Sequence, residues 1–368
     1  MQAEKTEKAI LVGADLGRRA DINFNDSLEE LKGLTEAAGA EVIATIVQAR
    51  ERIHNATYIG SGKLLELKHL AVELEPDLII FDRELSPVQL RNLEKELEFK
   101  VIDRTMLILD IFSQRARSNE GKLQVELALL EYRLPRLTGQ GAAMSRLGAG
   151  IGTRGAGEQK LELDRRYLRQ RIQEIKKKLD KVQTTRNLQR KQRHRAGMKI
   201  VSLVGYTNAG KSTLFNTICR SSHRSGAMQV EADDRLFQTL DTTIRKVYLP
   251  SRREILLTDT VGFIQNLPHH LMAAFRSTLE EAVDADLLLH VVDASDPNVF
   301  EKIAVVEDVL RDLGADEERI LTVFNKADRM DDAPPPGKRS LIISALTGQG
   351  IDALLDRLEL LFDQHDDR

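Results

Sequence analysis

Short apolar runs, separated by stretches with helical spacing, organise the first third of the chain. Residues 9–13 (AILVG), 41–47 (EVIATIV), 77–82 (DLIIFD) and 100–104 (KVIDR) read as strands, and the amphipathic stretches between them as helices. This alternation predicts a small α/β domain over residues 1–109 with a largely parallel sheet. One helix start is explicit: Ser86 serves as N-cap, Pro87 takes the first helical position and Gln89 closes a capping box.

From about Asp110 the pattern becomes helical. Leu123, Leu127, Leu130 and Leu134 recur at helical spacing until Pro135 and a glycine-rich stretch, residues 138–157, that holds Gly139, Gly141, Gly148, Gly150, Gly152, Gly155 and Gly157. Leu161, Leu168, Ile172, Ile175, Leu179 and Val182 then follow a coiled-coil-like seam. The expectation is a long antiparallel helical hairpin over residues 110–196 with the glycine-rich loop at its tip. Arg133, Arg136, Arg146 and Arg154 are interleaved with the glycines, which suits contact with a phosphate backbone better than an inert linker. Residues 197–364 return to alternating strands and helices, opening on the apolar run MKIVSLVG; Pro334-Pro335-Pro336-Gly337 marks a loop before the last core strand, and residues 365–368 form a tail. The fold class is therefore α/β, with a C-terminal domain of mostly parallel sheet and helices on both faces.

Charge adds one feature to this outline. The formal net charge of −3 conceals a segment in which Arg165, Arg166, Arg169, Arg171, Lys176, Lys177, Lys178, Lys181, Arg186, Arg190, Lys191, Arg193, Arg195 and Lys199 crowd together, while the rest is acidic. A solvated helix face and a polyanionic partner such as nucleic acid both fit. A single cysteine, Cys219, excludes an intrachain disulfide framework. The N-terminus carries no apolar run of signal-peptide length, and no stretch approaches the roughly 18–20 apolar residues of a membrane span. A protein of the reducing cytoplasm, outside the membrane, is expected.

The chemistry lies in the last domain. Gly205-Tyr206-Thr207-Asn208-Ala209-Gly210-Lys211-Ser212 fits G-x-x-x-x-G-K-[ST] between a strand and a helix, as a phosphate-binding loop requires. Backbone N–H groups and the helix N-terminus would face the phosphates, Lys211 would reach the β and γ phosphates and stabilise their charge during hydrolysis, and the Ser212 hydroxyl would ligate Mg²⁺. Gly60-Ser61-Gly62-Lys63 only looks similar, because Thr57 stands where the first glycine belongs, and it reads as a loop or helix start. Asp259-Thr260-Val261-Gly262 follows the strand EILLT and sets a carboxylate beside the phosphate loop, where the metal needs a partner. Between these two motifs a switch segment must bring a threonine to the metal; Thr239, Thr242 and Thr243 qualify.

The base is read further on. Asn325-Lys326-Ala327-Asp328 follows the strand ILTVF, and a carboxylate there accepts from guanine N1–H and the exocyclic amine together, whereas adenine would leave it unpaired. GTP and GDP are favoured over ATP, and an RNA-remodelling ATPase is disfavoured. Ser344-Ala345-Leu346 fits a backbone contact to the guanine oxygen. Phe263 occupies the position after Asp259-Thr260-Val261-Gly262 where Ras-like proteins carry a water-orienting glutamine, so slow intrinsic hydrolysis is expected and the water-positioning residue stays unassigned.

Over almost its whole length the sequence resembles the HflX family of translational GTPases, within the Obg-like group. The nucleotide motifs alone fit many GTPases; more specific are residues 82–137 (DRELSPVQLRNLEKELEFKVIDRTMLILDIFSQRARSNEGKLQVELALLEYRLPRL) and 150–166 (GIGTRGAGEQKLELDRR). The resemblance implies that the F-x-T-L threonine, Thr239, ligates Mg²⁺, and it places Phe237, Gln238, Leu240 and Asp241 at the nucleotide with it. Where the family usually reads L-D-P-T, this chain has Leu240-Asp241-Thr242-Thr243. It further implies a protein that binds the large ribosomal subunit, reaches ribosomal RNA with its helical hairpin, splits or recycles stalled ribosomes, and hydrolyses GTP under ribosomal stimulation; off the ribosome a monomer is expected. The other function that fits the residues is a GTP-dependent regulatory adaptor for a protein partner.

Overall fold

The computed structural model describes residues 6–17, 24–137, 156–195, 197–222, 243–264, 283–330 and 339–366. They fall into two compact units, one extending to Lys181 and the other beginning at Val182.

In the first unit, β1 (Glu7–Asp15), α1 (Phe24–Ala37), β2 (Ala40–Ala49), α2 (Ser61–Leu74), β3 (Leu78–Phe81), α3 (Pro87–Leu97) and β4 (Val101–Asp103) alternate in sequence. The four strands form a sheet of order β2-β1-β3-β4, parallel throughout. A parallel sheet needs helices on its faces, so its inner strands read as unbroken apolar runs, and Ile79, Ile80 and Phe81 of β3 are fully buried. All four expected strands are present. The expected capping box is too: the Ser86 hydroxyl accepts from the Gln89 N–H and the Gln89 side chain accepts from the Ser86 N–H. Gly60 is the N-cap of α2, so the false phosphate motif is a helix start.

The helical part begins earlier than Asp110. α4 (Arg104–Arg115) starts where β4 ends, because the Asp103 carboxylate caps it by accepting from the Met106 N–H at 2.9 Å. α5 (Asn119–Arg136) runs through Pro135 instead of stopping before it, and closes with the Leu137 N–H on the Arg133 carbonyl. α6 (Ala156–Arg195) starts inside the expected loop, so Gly157 is helical. Its seam is as anticipated: Ile172 and Ile175 are buried with Leu127, and Leu123, Leu130, Leu134 and Leu179 pack against them. Arg171 pairs with Glu126 at 2.7 Å and Lys176 with Glu131 at 2.8 Å along the same contact. Residues 138–155, with Arg146 and Arg154, lie outside the described residues.

The second unit contains β5 (Lys199–Val204), α7 (Lys211–Ser222), β6 (Thr243–Tyr248), β7 (Glu254–Asp259), β8 (Leu287–Asp293), α8 (Val299–Asp312), β9 (Ile320–Asn325), β10 (Ser340–Ile342) and α9 (Ile351–Asp366). The strand order is β10-β9-β8-β5-β7-β6, parallel except for β6, which pairs antiparallel with β7. Leu203, Leu289, Val291 and Val323 of the sheet pack in one core with Leu214 and Ile218 of α7 and Leu354, Leu358 and Phe362 of α9. β5 lies between β7 and β8, so the order reverses there, and the β5–α7 loop faces the crevice at the strands' carboxyl ends where open α/β sheets bind ligands. Among the described residues no helix is long and apolar enough to cross a membrane.

Asp103 ties several elements of the first unit together. It is fully buried, and besides capping α4 its carboxylate accepts from the Leu85 N–H and the Tyr132 hydroxyl, each at 2.9 Å, with Arg136 at 3.5 Å. Burial raises its pKa and these partners oppose the rise. Asp103→Ala would leave buried donors and a guanidinium uncompensated. It is expected to cost about 3–5 kcal/mol, against about 1 kcal/mol for Tyr132→Phe, read as a shift of the first unit's transition to lower urea by circular dichroism.

Candidate nucleotide-binding site

The β5–α7 loop is shaped by two glycines. Gly205 has φ +148°, and a Cβ there would lie 2.2 Å from the Val291 carbonyl oxygen. Gly210 has φ +89°, and a Cβ there would lie 2.3 Å from the Asn325 side-chain nitrogen. No other residue fits either place, because each glycine combines a conformation that L side chains rarely adopt with backbone or side chain at contact distance. Tyr206 is buried, with the Lys302 ammonium 5.1 Å from its ring centroid. Asn208 adopts φ +62°, and Ala209 is buried.

Lys211 opens α7 with its ammonium turned back over the loop, donating to the Gly205 carbonyl at 3.0 Å and the Tyr206 carbonyl at 2.8 Å. Burial pushes its pKa down to about 8, the Asp259 carboxylate working the other way. His290 of β8, also buried, is pushed down to about 4 by burial and then by the Lys211 charge, so it is neutral at physiological pH. The Ser212 hydroxyl donates to Asp259 Oδ2 at 2.8 Å, and Asp259 is fully buried at the end of β7. A hydroxyl and a carboxylate held together are oxygen donors of the kind a hard divalent cation takes. Phosphates entering here would meet loop N–H groups, a helix N-terminus and the Lys211 ammonium.

The chain after β7 is tied to the loop. The Thr260 hydroxyl donates to the Leu203 carbonyl and Val261 is buried. A Cβ on Gly262 would lie 2.8 Å from Thr207 Cγ2 and 2.9 Å from Lys211 Nζ. Phe263 forms a bridge to Tyr206: its N–H donates to the Gly205 carbonyl at 3.1 Å, and its carbonyl accepts from the Thr207 N–H at 2.7 Å. Its side chain is buried.

The base-reading segments converge on the same edge. Asn325, at the end of β9, donates through Nδ2 to the Ala209 carbonyl at 2.9 Å and accepts through Oδ1 from the Ala345 N–H at 2.8 Å. Lys326 has φ +66°, and its ammonium pairs with Asp293 Oδ2 at 2.7 Å. The Ala327 N–H donates to the Ile343 carbonyl. Asp328 accepts from the Ser344 hydroxyl, which holds its pKa below the usual carboxylate range. The Ala345 carbonyl accepts from the Thr217 hydroxyl of α7 at 2.8 Å, and Leu346 is exposed. The structure thus gathers the phosphate-loop, Asp259, Asn325 and Ser344 segments. Phe237, Gln238, Thr239, Leu240, Asp241 and Thr242 lie outside the described residues; Thr243 is the first residue of β6.

Two groups escaped the sequence reading. Asp293 fixes Lys326, and its only sequence signal is a carboxylate ending an apolar strand. Thr217 fixes Ala345, and a threonine inside a helix gives no such signal.

Comparison with known proteins agrees with this geometry. Residues 25–113 match the family described as GTP-binding GTPase N-terminal, 115–193 the GTP-binding GTPase Middle Region and 200–326 the 50S ribosome-binding GTPase family. The chain is 52% identical to GTPase HflX of Caldanaerobacter subterraneus subsp. tengcongensis over 97% of its own length and 81% of that protein's. It is 44% identical to GTPase HflX of Escherichia coli over 96% and 82%. A crystal structure of a GTP-binding protein from Sulfolobus solfataricus in complex with GDP is similar at 25% identity and TM-score 0.51, covering 98% of this chain and 99% of that one. With relatives this similar over nearly its full length, the chain belongs to the HflX family of GTPases.

Proposed function

We propose that this GTPase acts on the ribosome: it binds the large subunit through ribosomal RNA and splits or recycles stalled ribosomes, with hydrolysis stimulated there. The observation that carries the reading is the joining of a guanine-nucleotide site to a basic helical arm in one chain. Arg166, Arg169, Lys177, Lys178 and Lys181 of α6 are exposed, and basic side chains along an exposed helix neutralise phosphates whatever the sequence they belong to. A match to the 50S ribosome-binding GTPase family over residues 200–326 supports the same partner.

In this reading Asp328 reads guanine, Asn325 holds the loops that enclose it, the stem of Lys326 lies along the base, and Ser344, Ala345 and Leu346 border the guanine oxygen. The loop from Gly205 to Ser212 holds the phosphates. Ser212 and Thr239 ligate Mg²⁺, with Asp259 behind Ser212; the cation would bridge β and γ phosphate oxygens and offset their charge. Phe263 leaves the isolated protein a slow GTPase.

Three outcomes follow. Sedimentation of intact ribosomes with the protein is expected to release free subunits with GTP and a non-hydrolysable analogue but not with GDP, and subunit binding is expected to weaken steeply with added salt; no nucleotide-dependent splitting or binding would sink the proposal. Asp328→Asn replaces an acceptor pair by a donor and an acceptor, so GDP affinity is expected to fall by about 100-fold or more while xanthosine diphosphate, with a carbonyl at C2, gains. Fluorescent-nucleotide titration reads both. Lys211 has a pKa of about 8 without nucleotide, and phosphate favours its charged form. The proton taken up on binding therefore grows as pH rises through about 8, and GDP affinity is expected to be level below about pH 7 and to weaken progressively above it, by at most about tenfold per pH unit. Calorimetry in buffers of different ionisation enthalpy checks the proton uptake.

A further inference from the structure

We propose that Thr207 is a catalytic residue of GTP hydrolysis, its hydroxyl hydrogen-bonding the water that attacks the γ-phosphate. The inference rests on the GTPase activity of the family and concerns the group that replaces the glutamine absent at Phe263.

Thr207 is 6% exposed, and its buried hydroxyl has no hydrogen-bond partner among the described residues. A buried hydroxyl left unpaired destabilises the fold, and such groups persist where function requires them. Ser202 and His290 also carry an unpaired buried polar atom, but they lie within β5 and β8, whereas Thr207 lies in the phosphate loop. Its place in the loop is specific. The position of a Cβ on Gly262 is 2.8 Å from Thr207 Cγ2 and 2.9 Å from Lys211 Nζ, so the threonine methyl and the ammonium both border Gly262. Lys211 is the group that takes the β and γ phosphates, which puts Thr207 at the γ end of the loop.

The neighbouring residue cannot serve. Phe263 is zipped to the loop by its own N–H on Gly205 and its carbonyl on the Thr207 N–H, and its side chain is 4% exposed. Those two bonds hold the backbone of Phe263 against the loop beside Thr207, which carries a hydroxyl where Phe263 offers no polar side-chain atom. A hydroxyl both accepts and donates. It can accept from one O–H of the water, turning an oxygen lone pair toward phosphorus, and donate to a γ-phosphate oxygen. The new bond joins water oxygen to phosphorus, the bond from phosphorus to the β–γ bridging oxygen breaks, and the water protons leave with inorganic phosphate; Thr207 is unchanged.

The test is Thr207→Val, which keeps the shape and removes the hydroxyl, beside Thr207→Ser, which keeps the hydroxyl. Full-length proteins are compared for single-turnover GTP hydrolysis, alone and with large ribosomal subunits, for GDP affinity by fluorescent nucleotide, and for melting temperature. Thr207→Val is expected to lower the hydrolysis rate by about 100- to 1,000-fold, as loss of one transition-state hydrogen bond does. It should leave GDP affinity unchanged and melt no lower than wild type; Thr207→Ser should retain most of the rate. Wild-type hydrolysis by Thr207→Val would overturn the proposal, as would a matching loss of GDP affinity, which would mean a damaged loop. Wild-type turnover in the same assay tests the GTPase assignment separately, and its absence would remove the ground of both.

Discussion

The nucleotide site depends on one amide. Asn325 donates to the Ala209 carbonyl and accepts from the Ala345 N–H, so a single side chain fastens the phosphate loop after β5 to the loop after β10. Both bonds are buried, and removing the amide would leave a backbone acceptor and a backbone donor without partners away from water. Gly210 is the reciprocal requirement, because a Cβ there would meet the Asn325 nitrogen at 2.3 Å. The Thr217 hydroxyl on the Ala345 carbonyl adds a second tie to α7. Loops far apart in sequence thereby behave as one rim along the carboxyl edge of the sheet.

Electrostatics set the tension of that rim. Lys211 is buried among loop carbonyls and its pKa is pushed down to about 8, which is the condition of a cation held ready for an anion. Before phosphate arrives, its charge is offset by Gly205 and Tyr206 carbonyls and by Asp259. Asp259 is itself engaged by Ser212. Polar groups are thus arranged in advance of the charge they would face, and little reorganisation is left for the moment of binding.

The first unit uses similar means to another end. Asp82 and Asp103 stand at the carboxyl ends of neighbouring strands, both buried, and each accepts from a tyrosine hydroxyl, Tyr58 at 2.6 Å and Tyr132 at 2.9 Å. Burial raises both carboxyl pKa values. Asp103 spends its remaining acceptor capacity on Leu85, Met106 and Arg136. Bonds that gather β4, α4, α5 and the chain before α3 fix the packing of that edge.

Local chemistry in the sequence was enough for the α/β class, all four strands of the first sheet, the Ser86 capping box and the nucleotide motifs, because apolar runs, caps and the glycines of a phosphate loop are dictated by nearest neighbours along the chain. Boundaries that turned on longer-range contacts were less legible. α4 begins at Arg104 under the Asp103 cap, whose carboxylate is also held by Tyr132, and α5 passes through Pro135 while Arg136 reaches Leu85 and Glu84. The sequence by itself pointed to Gly205–Ser212 as a phosphate loop and to Asn325 and Asp328 as a pair that would favour guanine. Only the tertiary structure decided that Asn325 is a fastener, that Asp293 restrains Lys326, and that Thr207 packs its methyl against Gly262 while its hydroxyl has no partner among the described residues. Those facts belong to pairs of residues 20 to 116 positions apart, or to the absence of a partner among the described residues, and the spacing of residues along a chain records neither.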